Sequence, residues 1–558
     1  MTQSLRLALG IVRALAAHGV RDFVYSPGSR SAPFAYALDA CERHLDIRTW
    51  IVLDERDAAF FAGGLSRADE LATPDFTPAA HEPRPVALIM TSGGAVAEMH
   101  AGIAEAHHSH LPLIVVSADR PFEMRSVGAS QTTTQAGIFA SHVSMTCDIP
   151  ADTTADRALT ARVGRLVAAA RGWSATDRGP VHLNVALRDP LAPASAGDVE
   201  KILMDEGDPA VSATRFFLCE REPVAWRQVV DPNLRTVMIA GDGAHRDSAA
   251  WAERAGIPLL AEPTSGLTGS SAWIPHQQSI LSDSDVLSQI EQVIVTGRPT
   301  LSRPVSRLLA RDDIRIVVVS EHTEWPDVAG RASSVVPSLC DVPLGEGGEW
   351  CDCLRERSGY ADDALDPEQF SMLTVADLIW RDTGTDVLVL GASNTVRAFD
   401  LAIRTPAQAS VVSNRGLAGI DGTIATAWGC SANGARVRAV MGDLTFFHDA
   451  SALALRGGGA LSIIVLDDQG GSIFASLEHG QAPQSMYERW FGCAQSVDIE
   501  SLCRAYGWSY RTAASLDDVA EALALPIDEP SVIHVKLTRD ADGMRRILTP
   551  SRSQKTSR

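Results

Sequence analysis

"VMGDLTFFHDASALALRGGGALSIIVLDDQGGSIF", residues 440–474, holds two apolar runs that each end in acid, the first in Gly442-Asp443 and the second in Asp467-Asp468-Gln469-Gly470-Gly471. The runs "RAVMGD" (438–443) and "LSIIVLD" (461–467) are short and β-branched, as strands buried on both faces of a parallel sheet are. Adjacent parallel strands would bring their carboxyl ends level. Asp443 and Asp468, 25 residues apart in sequence, would then share one edge with the carbonyl of Gly470. An oxygen-only set of this kind suits a hard dication such as Mg2+ or Mn2+, and Mg2+ so held usually completes its octahedron with phosphate oxygens. A diphosphate cofactor is therefore expected. A second Gly-Asp-Gly, "AGDGA" (240–244), has no amide or acidic pair at comparable spacing before a glycine and is set aside.

Working outward, the same texture recurs along the chain. "VALIM" (86–90), "LIVVS" (113–117) and "VHLNV" (181–185) form one block, and "TVMIAG" (236–241), "QVIVTG" (292–297) and "IRIVVVS" (314–320) a second. "DVLVLG" (386–391) and "SVIHVKL" (531–537) join the opening pair in a third. The expected fold is α/β, three consecutive doubly wound parallel-sheet domains, with borders near 195 and 355 that give 1–195, 196–355 and 356–558. The stretches 188–210 and 338–369, rich in Pro, Gly and acidic residues, read as linkers, and "TPSRSQKTSR" (549–558) as a frayed tail.

Composition narrows the function classes. With 558 residues, 45% of them hydrophobic, several cores are affordable. A formal net charge of −20 excludes a surface that grips nucleic acid or anionic membrane as a whole, but not a local basic pocket. Nine cysteines without a CxxC read as reduced structural thiols of a cytoplasmic protein. The first 30 residues carry apolar positions at helical spacing broken by Arg6, Arg13 and His18, unlike a signal peptide, and no run approaches a membrane span.

Open α/β sheets bind ligands beyond the carboxyl ends of their strands. Three further junctions qualify: "YSPGSRSAPF" (25–34), with a hydroxyl-guanidinium-hydroxyl cluster at Ser29, Arg30 and Ser31; "VLDERDAAFFAGGLSRA" (52–68), with Asp54 and Glu55 opening a helix; and "TSGGAVAEMHAGIAEA" (91–106), whose small residues admit a ligand at a helix start. Each has an ordinary reading as a turn, a cap or a packing site. His107, His108 and His110 in "EAHHSHLPL" (105–113) spread around a helix end with no acidic partner in view, so they do not read as a metal site.

Gly-Asp followed by an acidic pair resembles the thiamine-diphosphate motif. "SPGSRSAPF", "DERDAAFFAGGLSRA", "TSGGAVAE", "SADRP", "GASQTTTQAGIFASHV", "GASNTVRAFD", "SNRGLAGIDGTIATAWG", "GDLTFFHDASALAL" and "DDQGGSIF" look, in that order, like the 2-succinyl-5-enolpyruvyl-6-hydroxy-3-cyclohexene-1-carboxylate synthase family of menaquinone biosynthesis. The resemblance covers most of the chain and is least diagnostic over 205–345.

It implies a pyrimidine-binding N-terminal domain, a central domain and a diphosphate-binding C-terminal domain. It also implies decarboxylation of 2-oxoglutarate and 1,4-addition to isochorismate, with thiamine diphosphate and Mg2+ or Mn2+ as cofactors. Glu55 matches the glutamate that hydrogen-bonds the aminopyrimidine, and Arg30, Gln131 and Arg397 join it as expected catalytic residues. Ser29, Arg30, Arg120, Gln131, Arg303, Ser393, Arg397 and Arg415 match substrate positions, which suits two dicarboxylates because a guanidinium pairs bidentately with a carboxylate. Glu55, Ile420, Gly442, Asp443, Gly470, Gly471, Ile473 and Phe474 match cofactor positions, and Asp443, Asp468 and Gly470 the metal ligands. In the superfamily the cofactor lies between two subunits, so a homodimer or homotetramer is expected. The chain departs from the family at Asp468, where an asparagine is usual; no Asn follows Asn433. Two other readings stay open: a different thiamine-diphosphate decarboxylase or carboligase acting on a smaller 2-oxo acid, and a binding subunit of the same fold without catalysis.

Overall fold

A computed structural model describes residues 2–68, 83–173, 176–195, 199–201, 203, 213–218, 221–345, 348–362 and 365–539. The tail 549–558 and part of 188–210 lie outside the described residues. Three parallel sheets follow one another. The first contains β1 (Asp22–Tyr25), β2 (Arg48–Ile51), β3 (Val86–Met90), β4 (Leu113–Asp119), β5 (Thr146–Ile149) and β6 (Val181–Ala186), in the order β2-β1-β3-β4-β6-β5. The second contains β8 (Thr236–Ala240), β9 (Leu259–Ala261), β10 (Gln292–Thr296), β11 (Arg315–Val319) and β12 (Ser334–Val336), in the order β12-β11-β10-β8-β9. A short ladder of β7 (Val224–Ala225) with β13 (Leu339–Cys340) stands beside it. The third contains β14 (Val387–Leu390), β15 (Ser410–Val412), β16 (Arg436–Gly442), β17 (Ala460–Asp467), β18 (Ser509–Ala513) and β19 (Ser531–Lys536), in the order β15-β14-β16-β17-β19-β18.

Helices cover both faces of each sheet, so central strands such as β3, β8 and β10 are buried at every position. One face of the first sheet and one of the third share a single core, in which Phe60, Phe61 and Ile103 meet Ile424, Trp428 and Phe446. The join is a close crossing of the Glu55–Arg67 and Thr423–Cys430 helices. A Cβ on Gly64 would lie 2.1 Å from the carbonyl oxygen of Thr426, and one on Gly429 2.1 Å from that of Phe61. Two glycines therefore let the backbones touch.

The stretch 338–369, expected to be a linker, contains β13 and a helix, Glu349–Asp362. Its buried positions Cys351, Leu354, Ser358 and Ala361 recur at helical spacing, but two are polar or small, and charged residues between them hide the apolar stripe. Leu354 joins the core of the central sheet and Ala361 that of the third, so residue 355 falls inside a helix seated in both. The eight described cysteines are free. Among the described residues no helix is long and apolar enough to cross a membrane.

Candidate active site

The order of the third sheet reverses between β14 and β16, and such switch points open a crevice at the carboxyl edge. The register places Gly442 opposite Leu466 and Leu390 opposite Val440, so Ser393, Asp443 and Asp468 come from three neighbouring strand ends. Asp443 opens the Asp443–His448 helix and is 4% exposed. Burial raises its pKa, Asp467 raises it further, and backbone N–H groups of Leu444 and Gly470 oppose the shift. Asp468, 6% exposed, is pushed up to about 6 by burial and by Asp443, against the Ser472 hydroxyl and the charge of Arg539. Asp467 has another job: it accepts from His534 Nε2 at 2.8 Å, which holds its carboxyl below the usual range. Gly470 turns the loop at φ 116°, where a Cβ would lie 2.2 Å from the Gly492 carbonyl oxygen.

Two buried, mutually repelling carboxylates beside a tightly turned carbonyl-bearing loop fit a hard dication, which would relieve both the burial and the repulsion. The diphosphate position fits too. Ser393, at φ 73°, precedes the Asn394–Ala402 helix, and no side chain caps that helix start; Val396 N–H donates to the Gly391 carbonyl at 3.3 Å, and the N–H groups before it suit an anion. Asn394 Nδ2 donates to Ser472 Oγ at 2.7 Å, tying this loop to the one that carries Asp468. Gly442, Gly471, Ile473 and Phe474 lie on the same loops; Gly471 donates its N–H to Gly492 at 2.6 Å, and Phe474 packs on Phe491 with ring centroids 5.6 Å apart. Ile420 is half-buried in the loop after β15.

Arg397 and Arg415 are charge neighbours. Burial lowers the Arg397 pKa and Arg415 lowers it further, while Asp400 and Glu262 counter both. Arg397 donates to the Ser393 carbonyl at 2.7 Å and Arg415 to the Thr300 hydroxyl at 2.8 Å. Sequence reasoning missed the acids behind them. Asp400 accepts from Gln277 and Gln278 at 2.7 and 2.5 Å, and Glu262 from the Leu301 N–H at 2.8 Å. Asp400 lies one helical turn beyond Arg397, a visible signal; Glu262 comes from the end of β9 and has none. Arg303 stands apart, exposed and paired with Glu478 at 3.1 Å.

At the first sheet's carboxyl edge, Arg30 and Arg120 are charge neighbours. Arg30 is buried and donates to the Leu187 carbonyl at 2.8 Å and to Asp189 at 3.3 Å; Arg120 donates to the Ser130 carbonyl at 3.0 Å. Gln131, exposed and at φ 54°, donates to the Ser92 carbonyl at 3.1 Å. Ser29 is exposed beside them. Asp54 caps the helix start, accepting from the N–H groups of Arg56 and Asp57 at 3.0 and 3.2 Å, which leaves Glu55 free of that duty. Burial raises the Glu55 pKa, its own backbone N–H lowers it, and Asp54 and Glu98 raise it further. The charged neighbours that shift Glu55 are these two acids; those of Asp443 and Asp468 are different residues.

Residues 5–138 match the thiamine pyrophosphate enzyme N-terminal TPP binding domain, and residues 392–535 the corresponding C-terminal TPP binding domain. A 2-succinyl-5-enolpyruvyl-6-hydroxy-3-cyclohexene-1-carboxylate synthase of Kineococcus radiotolerans is 40% identical, over 96% of this chain and 95% of its own. The chain belongs to that synthase family. Synthases of the same name from Renibacterium salmoninarum and Rhodococcus erythropolis are 37% and 36% identical, over 96% and 99% of this chain and 95% and 100% of theirs. A benzoylformate decarboxylase of Polynucleobacter necessarius superposes with a TM-score of 0.62 over 96% of this chain and 99% of its own. At 16% identity that likeness speaks for the fold, three parallel α/β domains of the thiamine-diphosphate type. For a synthase of this family, the two carboxyl edges just described are the ones that its two TPP binding domains contain.

Proposed function

We propose that this chain decarboxylates 2-oxoglutarate and adds the remaining four-carbon unit to isochorismate, giving 2-succinyl-5-enolpyruvyl-6-hydroxy-3-cyclohexene-1-carboxylate and CO2 for menaquinone synthesis in the cytoplasm. The observation that carries this reading is the convergence at one switch point of two buried carboxylates, Asp443 and Asp468, with two desolvated guanidiniums, Arg397 and Arg415. The carboxylates and the Gly470 carbonyl hold Mg2+ or Mn2+; the guanidiniums hold carboxylate groups of the substrates. When bound, thiamine diphosphate supplies the electron sink that lets a 2-oxo acid lose CO2 and join a second molecule.

The chain's own residues do the rest. Glu55, whose pKa burial raises, would share a proton with a ring nitrogen of the cofactor. Ile420, Ile473 and Phe474 wall the cofactor off from water, and Gly442 and Gly471 give it backbone room. Ser29, Arg30, Arg120 and Gln131 form the second carboxylate-binding edge; Ser393 belongs to the Asp443–Asp468 edge, and Arg303 would reach a substrate only on leaving Glu478. The borders near 195 and 355 divide the pyrimidine-binding, central and diphosphate-binding domains, and the working unit is a homodimer or a homotetramer. The test is consumption of isochorismate by the purified chain, expected only when 2-oxoglutarate, thiamine diphosphate and Mg2+ are all present. Turnover of pyruvate in preference to 2-oxoglutarate would point to another carboligase and overturn the substrate assignment.

A further inference from the structure

Six of the chain's fifteen histidines form two sets of ring contacts near the seam between the first and central domains, one joining His100, His142, His107 and His108 and the other stacking His110 on His322. The acidic partner that the sequence reading did not find around His107, His108 and His110 comes from far along the chain. Ligating atoms of His110, Asp177 and His322 all lie within 4.8 Å of one another. We propose that these three residues bind a dication of the Zn2+ class and so strap the first domain to the central one.

The placement separates this cluster from the Arg30–Arg120 edge of the proposed active site. His110 precedes β4 and Asp177 precedes β6, so both stand at the amino edge of the first sheet, whereas Arg30 and Arg120 stand at its carboxyl edge. β4 spans seven residues, about 20 Å of strand between the two edges. His322 follows β11 of the central sheet, and its Nδ1 lies 3.7 Å from Asp177 Oδ1. Asp177 also receives the Thr323 N–H at 3.0 Å, which fixes the carboxylate against the loop that carries His322. Arg178 Nε donates to the His110 carbonyl at 2.8 Å, fixing the turn that carries the other imidazole.

Two imidazoles and one carboxylate are the donor set of an open site that takes zinc with a water in the fourth position. The imidazoles stack with centroids 3.4 Å apart and planes 6° from parallel, an arrangement for uncharged rings. An uncharged imidazole is the ligating form. Parallel rings aim their lone pairs side by side, so binding turns at least one of them about its side-chain bonds. The charges nearby are mixed: Arg178 and Arg298 oppose a cation at His110, and Asp177 favours it. Arg298 has its own counter-charge in Asp242, 4.0 Å away.

The test uses the full chain saturated with thiamine diphosphate and Mg2+, titrated with Co2+ as a spectroscopic stand-in and then with Zn2+ as competitor. One Co2+ per chain with the strong visible bands of a four-coordinate site, displaced by Zn2+, is expected. His322→Ala and His110→Asn, the latter chosen because Asn tolerates the φ of 54° at that position, should each lower affinity more than about 100-fold, beyond what loss of an outer-shell partner costs. Unchanged circular dichroism of both variants would show that they fold. His107→Ala, and Asp443→Ala titrated without the cofactor it no longer binds, should keep the bands. Absence of the bands in the parent chain, their survival in both His110→Asn and His322→Ala, or their loss in His107→Ala or Asp443→Ala would overturn the assignment.

Discussion

Glu55 sits one residue past the Asp54 cap, and that offset leaves it free to act on a ligand instead of on its own helix. Glu55→Gln should fold normally and bind cofactor, yet lose at least about a hundredfold in the hydrogen–deuterium exchange of the bound thiazolium proton, the range general acid–base groups supply; exchange at the parent rate would remove Glu55 from that role. Two residues on, Asp57 faces Asp449, and both are shut off from water. Burial pushes Asp57 up to about 6, and burial together with Asp57 pushes Asp449 up to about 7. The folded chain therefore holds protons that the unfolded chain releases near the usual Asp value of about 3.9. The stability from these groups is complete below that pH and is lost as pH rises through 6 and 7. Asp57→Asn should stabilise by about 1–2 kcal/mol near pH 8, with the gain shrinking toward pH 4, as urea titrations would show.

At the metal position, Asp468→Asn should bind thiamine diphosphate as well as the parent or better, because it removes one of two charges facing a diphosphate. Asp443→Ala should abolish binding. Calorimetry with and without Mg2+ checks both, and tight binding by the parent without metal would move these carboxylates out of the site. Asp443 and Asp468 were legible because each stands at the end of an apolar run that reads as a strand, and Arg397 and Arg415 because they lie in motifs that the family resemblance matched. Glu262 and the Asp177–His322 pairing were not, since tertiary folding alone brings them to their neighbours.

Among the elements, interior strands announce themselves: β3 and β10 match their apolar runs to within a residue because every position is buried. Edge strands do not. β2 and β18 are mostly half-buried or exposed, so their composition is that of surface loops, and only hydrogen bonding to a neighbour makes them strands. The "GG" of the Glu55–Arg67 helix was visible as small residues, but its partner Gly429 lies hundreds of positions away, and only the folded chain shows that they face one another. Gly64→Ala would drive a methyl group into the Thr426 carbonyl oxygen. It should destabilise by about 1–3 kcal/mol, as overpacking does, and urea unfolding followed by tryptophan fluorescence measures the loss.

For the whole molecule, the charged surroundings of Glu55 and of the Asp443–Asp468 pair do not overlap within one chain, as expected if each complete site takes its two halves from different subunits. Mixing inactive Glu55→Gln and Asp443→Ala chains through a dissociation step should then restore about a quarter of parental activity, because half the dimers are mixed and each has one intact site of two. No recovery would place both halves of the site in one chain.

The helix Glu349–Asp362 has a bearing on how the molecule comes apart. With Leu354 seated in one core and Ala361 in the next, the passage from central to C-terminal domain is a rigid strut and not a hinge. The two domains cannot swing apart without extracting a buried turn of helix. Amide protons along this helix should resist exchange until one of its two cores melts, and whichever loosens first will release the strut and unload the other, so that loss of the central domain's order is felt at the diphosphate edge, where Gln277, Gln278 and Thr300 reach Asp400 and Arg415.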